Sequence, residues 1–385
     1  MRKLFYEDVT ITDFTATVIS CEAMEDSKQY RILLDATAFF PEEGGQSADK
    51  GTINVLPVLD VQIKDDLIYH YLEQPLEPGT SVTGHVDWEQ RFDFMQQHSG
   101  EHIVSGLVHG RFGYNNVGFH LSNNEVTLDF NGELTPAQLR EIELCANEII
   151  YQNLPVEITY PSKEELSELS YRSKIEIEGQ VRIVTIPGVD VCACCAPHVA
   201  HTGEIGMIKI TNCQSHRGGV RLNILCGARA LADYNKKQES VTAVSVALSA
   251  KQDLISDAVL KLKEDMLRQQ ERINNLQAQL LELKVSALPT PSECGNAVLF
   301  VDKMDTIAIR NTVNKLVENY SGYCSVFSGD EETGYSFIVG SKNKDCKELA
   351  QILRTELGAK CGGNTPMIQG SVTATSEKIQ SFFSL

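Results

Sequence analysis

The stretch Met95-Gln96-Gln97-His98-Ser99-Gly100-Glu101-His102-Ile103-Val104-Ser105-Gly106-Leu107 sets the terms on which the rest of the chain is read. On a helix, positions i and i+4 share one face, so His98 and His102 can grip a single ion. A second pair with the same spacing, Cys194-Cys195-Ala196-Pro197-His198, follows further along, and Pro197 argues for a turn there rather than a helix. Three imidazoles and one thiolate make a tetrahedral set that suits Zn²⁺. Each pair alone has plainer readings. Two histidines on one helical face are often surface or core residues, and Cys192, Cys194 and Cys195 are compatible with packing or a redox pair. A zinc protease places glutamate directly after the first histidine of H-E-x-x-H, whereas here Ser99 fills that place and the carboxylate is Glu101. The co-occurrence of both pairs favours a zinc site built from His98, His102, Cys194 and His198.

Composition bounds the rest. A chain of 385 residues, 42% hydrophobic and 22% charged, predicts a globular protein of two or three domains. No apolar run is long enough to span a bilayer, and the N-terminus lacks a signal-peptide core, so no membrane association is expected. Eleven cysteines, odd in number and irregularly spaced, fit a reducing compartment, and the expected location is the cytoplasm. A net charge of −18 argues against broad, non-specific nucleic-acid binding. From Met207 to Ala232, however, the charged residues are Lys209, Arg217, Arg221 and Arg229, all basic. Arg217 and Arg221 are candidates for guiding a nucleic-acid strand towards the metal. The plainer reading is a basic strand face that balances acidic neighbours.

Taken in order, residues 1–90 read as β-rich. Val9-Thr10-Ile11-Thr12, Thr15-Ala16-Thr17-Val18-Ile19 and Tyr30-Arg31-Ile32-Leu33-Leu34 have strand composition, and recurring turn signals suggest a small barrel. Asp87-Trp88 opens a helix through the histidine pair, in which Gly100 and Gly106 point to close packing or substrate approach. Glu125-Val126-Thr127-Leu128-Asp129-Phe130 alternates as a strand, and Thr135-Pro136 starts a helix to about Gln152, giving an α+β arrangement. Residues 232 to about 285 lack Gly and Pro. Ile255, Val259, Leu262, Met266, Gln269, Ile273, Leu276, Leu280 and Leu283 form an a/d seam, which either pairs with a second chain or folds back on its own domain. Leu288-Pro289-Thr290-Pro291-Ser292 ends it. Beyond lie strands at Ala297-Val298-Leu299-Phe300-Val301 and Tyr335-Ser336-Phe337-Ile338-Val339-Gly340, with an amphipathic helix from Asp345 to Leu357, a compact α/β unit.

A third segment joins the two ligand pairs: Thr37-Ala38-Phe39-Phe40-Pro41-Glu42-Glu43-Gly44-Gly45-Gln46-Ser47-Ala48-Asp49-Lys50-Gly51. With His98-x₃-His102, Cys194-x₃-His198 and the Thr202-Gly203-Glu204-Ile205-Gly206 that follows, it resembles the editing domain of alanyl-tRNA synthetases and its freestanding relatives, the AlaX-type alanyl-tRNA editing proteins. Glu43 departs from the pattern, standing where that family has a small residue. Gly358-Ala359-Lys360-Cys361-Gly362-Gly363-Asn364-Thr365-Pro366-Met367-Ile368-Gln369-Gly370 resembles the glycine-rich signature of the synthetase C-terminal domain, which is associated with tRNA binding and dimerisation. There Asn364 replaces an expected basic residue, and Lys342, Lys344, Lys347, Arg354 and Lys360 are candidates for an RNA-facing patch.

The resemblance implies a β-barrel domain over 1–90, a zinc-containing α+β editing domain over 91–231, a helical coiled-coil linker over 232–288 and an α/β C-terminal tRNA-binding or dimerisation domain over 289–385. It implies a trans-acting hydrolase that cleaves serine or glycine from tRNA(Ala), and a homodimer through 232–385. The chain starts directly at the β-rich domain, so it is not expected to charge tRNA. Gln46 is the candidate for orienting the aminoacyl end, and Glu101 for proton transfer. Thr37, Gly44 and Gly45, in the third segment, are candidates near the substrate. Residues 115–120 match the wall of the family's amino-acid pocket, which makes Phe119 and His120 candidates. His120 reads equally well as a satisfied core histidine. Two rivals stay open: a zinc-stabilised RNA-binding or assembly protein without catalysis, and a thiol redox sensor.

Overall fold

The computed structural model describes residues 1–24, 28–173, 179–290 and 295–384, which form two compact units, Met1–Ala243 and Val244–Leu385. The architecture is mixed α+β. Unit one begins with a seven-stranded sheet in the order Leu56–Pro57, Gly51–Ile53, Ser81–Val86, Asp13–Ala23, Tyr30–Leu34, Leu67–Leu72 and Asp60–Lys64. Alternation along Asp13–Ala23 buries Phe14, Ala16 and Val18 while their neighbours face water, so one face of the sheet carries a core with Phe39 and Phe40. The expected strand over 9–12 is instead a turn: the Asp8 carboxylate accepts from the Thr10 backbone at 2.8 Å and hydroxyl at 2.7 Å. That local Asx-type bonding outcompetes β propensity.

The helix Trp88–Phe112 (α1) starts where Asp87 accepts from the backbone of Glu89 and Gln90, and stops at Gly113 with φ 70°. It is buried almost all round its middle turns, as a central helix must be. Gly100 and Gly106 are there for packing: a Cβ would stand 2.4 Å from Cys226 Sγ and 2.4 Å from the Val189 carbonyl, respectively. Around α1 lie an antiparallel sheet in the order Asn116–Leu121, Val126–Phe130, Gly219–Cys226 and Ile208–His216, a smaller sheet of Glu157–Thr159, Ile183–Ile186 and Asp190–Ala193, and the helix Pro136–Gln152 (α2), opened by a Thr135–Gln138 capping box. The Gln97 amide bonds both the N–H and the carbonyl of Cys226, stitching α1 to that strand.

The Gly- and Pro-free stretch from 232 to about 285 falls on two helices, Gly227–Leu248 (α3) and Ile255–Ser286 (α4), broken where Ser249 adopts φ 49°. In unit two, Leu281 and Val285 of α4 pack on the strand Ala297–Val301, whereas the seam residues Val259, Leu262, Met266, Ile273, Leu276, Leu280 and Leu283 are 43–68% exposed. The face that folds back on the domain is therefore not the heptad face. Pro291 and Ser292, expected to end the helix, lie outside the described residues. A mixed sheet follows, ordered Ala297–Val301, Cys324–Asp330, Gly334–Gly340, Met367–Val372 and Lys360–Asn364, packed by the helices Thr306–Asn319, Cys346–Leu357 and Ser376–Phe383. The glycine-rich stretch forms the edge hairpin of that sheet. Among the described residues no helix is long and apolar enough to cross a membrane.

Candidate metal centre

α1 brings His98 and His102 to one face, and the turn after Asp190–Ala193 brings Cys194 and His198 against it. The four ligand atoms all lie within 4.8 Å of one another. Cys194 Sγ is 3.5 Å from His98 Nε2 and 3.3 Å from His198 Nε2. A tetrahedral ion with S and N ligands at about 2.3 and 2.05 Å requires an S···N edge of about 3.5 Å, which these two edges match.

What surrounds the imidazoles says which nitrogen faces inward. His98 Nδ1 donates to Gln46 Oε1 at 2.8 Å, and His102 Nδ1 donates to Asp190 Oδ2 at 2.9 Å. His198 Nδ1 is bonded to Ser99 Oγ at 3.0 Å. A carboxylate and an amide oxygen only accept, so Nδ1 of His98 and His102 carries a proton and Nε2 is the nitrogen left to face a metal. Burial lowers the pKa of the His102 imidazole, but Asp190 and Cys194 outweigh it and raise it well above the usual value, so a metal there would displace a proton. Burial pushes the Cys194 thiol up, but His98, His198 and His102 outweigh it and hold its pKa well below an ordinary thiol, favouring the thiolate that binds metal. Burial drives His198 down to about 3, which keeps it neutral. Burial also raises Cys192 to about 11, the inert character of a packed thiol.

The loop from the third segment is fastened beside this set. Gly44 and Gly45 have φ 62° and 83°, a left-handed backbone that favours glycine. A Cβ on Gly45 would stand 2.4 Å from the Phe119 carbonyl, and one on Gly44 3.2 Å from Cys195 Sγ. Leu121 N donates to the Gly45 carbonyl at 2.7 Å and Ser47 N to the Leu121 carbonyl at 2.9 Å, which ties the loop to the strand Asn116–Leu121. Gln46 is fully buried, and its Nε2 has no hydrogen-bond partner among the described residues. Glu43 faces the Cys195 thiol. Arg182 donates to the carbonyls of Cys194 at 2.7 Å and Ala196 at 3.0 Å, fixing the ligand turn.

The remaining sequence-predicted residues divide. Phe119 is brought in, its ring centroid 4.7 Å from that of His98. His120, next along the strand, is exposed, which removes its reading as a core histidine. Glu101 is buried; its Oε1 accepts from Ser105 at 2.7 Å and Asn116 at 2.6 Å, and its Oε2 lies 3.8 Å from His102 Nε2. Thr37 is buried in the large sheet's core, bonded through its hydroxyl to His70 Nε2 at 2.8 Å. Burial lowers His70 to about 4, so it is neutral there. Arg221 is paired with Asp129 at 2.6 and 2.7 Å, Lys209 with Glu143 and Arg229 with Asp93. These pairs match the plainer reading of the basic stretch, a face that balances acidic neighbours. Arg217 is exposed at the hairpin tip with φ 45°.

Sequence reasoning missed Asp190, Ser99 and Arg172, the last bonded to Asp190 at 2.7 and 2.8 Å, and it included Asn116 only as part of the 115–120 wall, not as the partner of Glu101. A signal existed for Asp190: every second residue of a strand shares a face, which puts Asp190 and Cys192 in line with Cys194.

Comparison with known proteins gives the chain its relatives. Residues 2–90 match the model for tRNA synthetases class II (A), and residues 181–222 that for the threonyl and alanyl tRNA synthetase second additional domain. The chain is 28% identical to the alanyl-tRNA editing protein Aarsd1 of Mus musculus, covering 99% of this chain and 96% of that one. It is 26% identical to the alanyl-tRNA editing protein AlaX-L of Pyrococcus horikoshii over 98% and 96% of the two chains. To Aarsd1 of Bos taurus it is 31% identical over 72% of this chain and 67% of the relative. Fold, ligand geometry and relatives converge: the chain belongs to the alanyl-tRNA editing proteins.

Proposed function

We propose that the chain is a trans-acting aminoacyl-tRNA deacylase that removes serine or glycine from tRNA(Ala), with zinc held by His98, His102, Cys194 and His198. The observation that carries this is the buried set of inward-facing Nε2 atoms and one thiolate, anchored from behind, in a member of the editing family. When bound, zinc supplies positive charge for the ester or for the substrate's amino or ribose groups.

The chain's own residues have distinct tasks. Gln46 holds His98 through Oε1 and offers its Nε2, unpartnered among the described residues, as a donor to the aminoacyl end. Glu101, held in place by Ser105 and Asn116, moves a proton between water and the ester. Phe119 and the loop through Gly44 and Gly45 wall the substrate, whereas Thr37 supports that loop's domain from within the core and His120 lies on the opposite strand face. Arg217, with Arg221 behind it, guides the tRNA strand. Residues 1–90 and 91–231 form the barrel and editing domains of a cytoplasmic enzyme. Residues 232–288 and 289–385 supply dimer contacts and tRNA binding.

Deacylation of Ser-, Gly- and Ala-tRNA(Ala) tests the reading. A pocket that pairs with the serine hydroxyl should favour the serine ester over the alanine ester by at least about a hundredfold. Equal rates on these two esters, or none from zinc-replete protein, overturn it. The second reading, a zinc-stabilised RNA-binding protein without catalysis, is favoured by one feature: four protein ligands fill a tetrahedral ion. The same assay decides between the two.

A further inference from the structure

His102 differs from the other two imidazoles in what stands behind it. Its Nδ1 meets a carboxylate, Asp190, at 2.9 Å, where His98 meets an amide and His198 a hydroxyl. Asp190 is itself only 5% exposed, and a lone carboxylate there would carry a cost because burial strips its hydration. Arg172 offsets it. Nε reaches Oδ1 at 2.7 Å and Nη2 reaches Oδ2 at 2.8 Å, a two-point fork that fixes the carboxylate plane as well as its charge. The fork is built in from the backbone. Arg172 N donates to the Val191 carbonyl at 2.8 Å, and Ala193 N donates to the Arg172 carbonyl at 2.9 Å, which fixes residue 172 alongside the strand that carries Asp190. Arg172 and Asp190 also line a cavity of about 480 Å³ with Gly110 and Asn116, so the guanidinium is reachable by small molecules.

We infer that Arg172 and Asp190 are positioning residues for the metal centre: Arg172 locks Asp190, and Asp190 locks His102 in the ring orientation and tautomer that present Nε2 to the ion. This rests on the reading of the site as a metal centre and adds two residues to it. Asp190 reaches the centre through His102 Nδ1 and Arg172 reaches it through Asp190, so both act through His102. A carboxylate behind a ligating histidine is worth about 10–100-fold in metal affinity.

The test is zinc affinity of the full chain, read by competition with a chromophoric chelator in the absence of tRNA, alongside kcat and KM on Ser-tRNA(Ala). Asp190→Asn should weaken zinc binding by about 10–100-fold. Arg172→Ala should weaken it less, and added guanidinium at non-denaturing concentration should restore it by entering the cavity. In zinc excess, KM for the tRNA should stay near the parent's. Parental zinc affinity in both folded variants overturns the inference. Should Arg172→Ala lose its fold by circular dichroism, Arg172→Lys, which keeps the charge without the fork, decides by the same titration. A parent that binds zinc but hydrolyses nothing, with variants that bind it weakly, removes the hydrolase reading and leaves this inference standing. Active parent and variants with unchanged zinc affinity do the reverse.

Discussion

Two spacing patterns mark this chain, and they meet opposite surroundings. On α1 the i, i+4 histidines are buried, and each has a partner behind the ring that fixes which nitrogen is presented. On α4 the heptad seam recurs along the helix yet stays exposed, from 43% at Leu280 to 68% at Leu283. Periodicity states only that side chains share a face. What the face meets is decided by other segments: Gln46, Asp190 and the ligand turn for α1, and nothing among the described residues for most of the α4 seam.

The contrast can be broken most forcefully at the ligands. Replacing His98 and Cys194 together by alanine should abolish stoichiometric zinc in elemental analysis of gently purified protein; full retention would mean that the buried face is only packing. At the exposed seam, Ile273→Glu should lower the mass in sedimentation by disrupting chain pairing. A parent already monomeric at micromolar concentration would show that the seam is a solvated face. Gly45→Ala sharpens the first half of the comparison. Its left-handed φ and the 2.4 Å approach to the Phe119 carbonyl predict a loss of about 1–3 kcal/mol in denaturant unfolding, with deacylation impaired. An unchanged midpoint and rate would show that the loop yields freely. Arg221→Ala should have the smallest effect, under about 1 kcal/mol of stability, because the Asp129 pair is partly solvated. If it weakened tRNA binding as much as Arg217→Ala, the ion pair would be secondary to an RNA contact.

The sequence made a good part of this legible for identifiable reasons. The ligand spacing, the Asp87 start of α1 and the Thr135-Pro136 start of α2 are local signals with local causes, and the structure carries them. The turn at Asp8–Thr10 was hidden because a single carboxylate overrode a run of β-branched residues. The break at Ser249 left no Gly or Pro to announce it. The role of Ser99 was invisible because it depends on a partner distant in the chain, His198. Arg172 belongs to the same class: an arginine in a loop declares its target only when the fold sets a carboxylate opposite.

The span between ligands has a consequence for how the protein is made. Cys194 follows His98 by 96 positions, and the Cys226 backbone that anchors Gln97 follows it by 129. At roughly 5–20 residues per second of synthesis, the thiolate leaves the ribosome about 5–20 s after the first imidazole. The strands before Val86 can pair during that interval, since each of their neighbours has already emerged. α1 cannot finish burying itself, because the strand Gly219–Cys226 and the ligand turn are still inside. For those seconds the nascent chain carries a helix with His98 and His102 in place and neither Cys194 nor His198 yet available. The four candidate ligands are complete only when His198 has emerged, and the strand Gly219–Cys226 that finishes covering the helix comes later still, so the ligand set is assembled before its helix is fully enclosed.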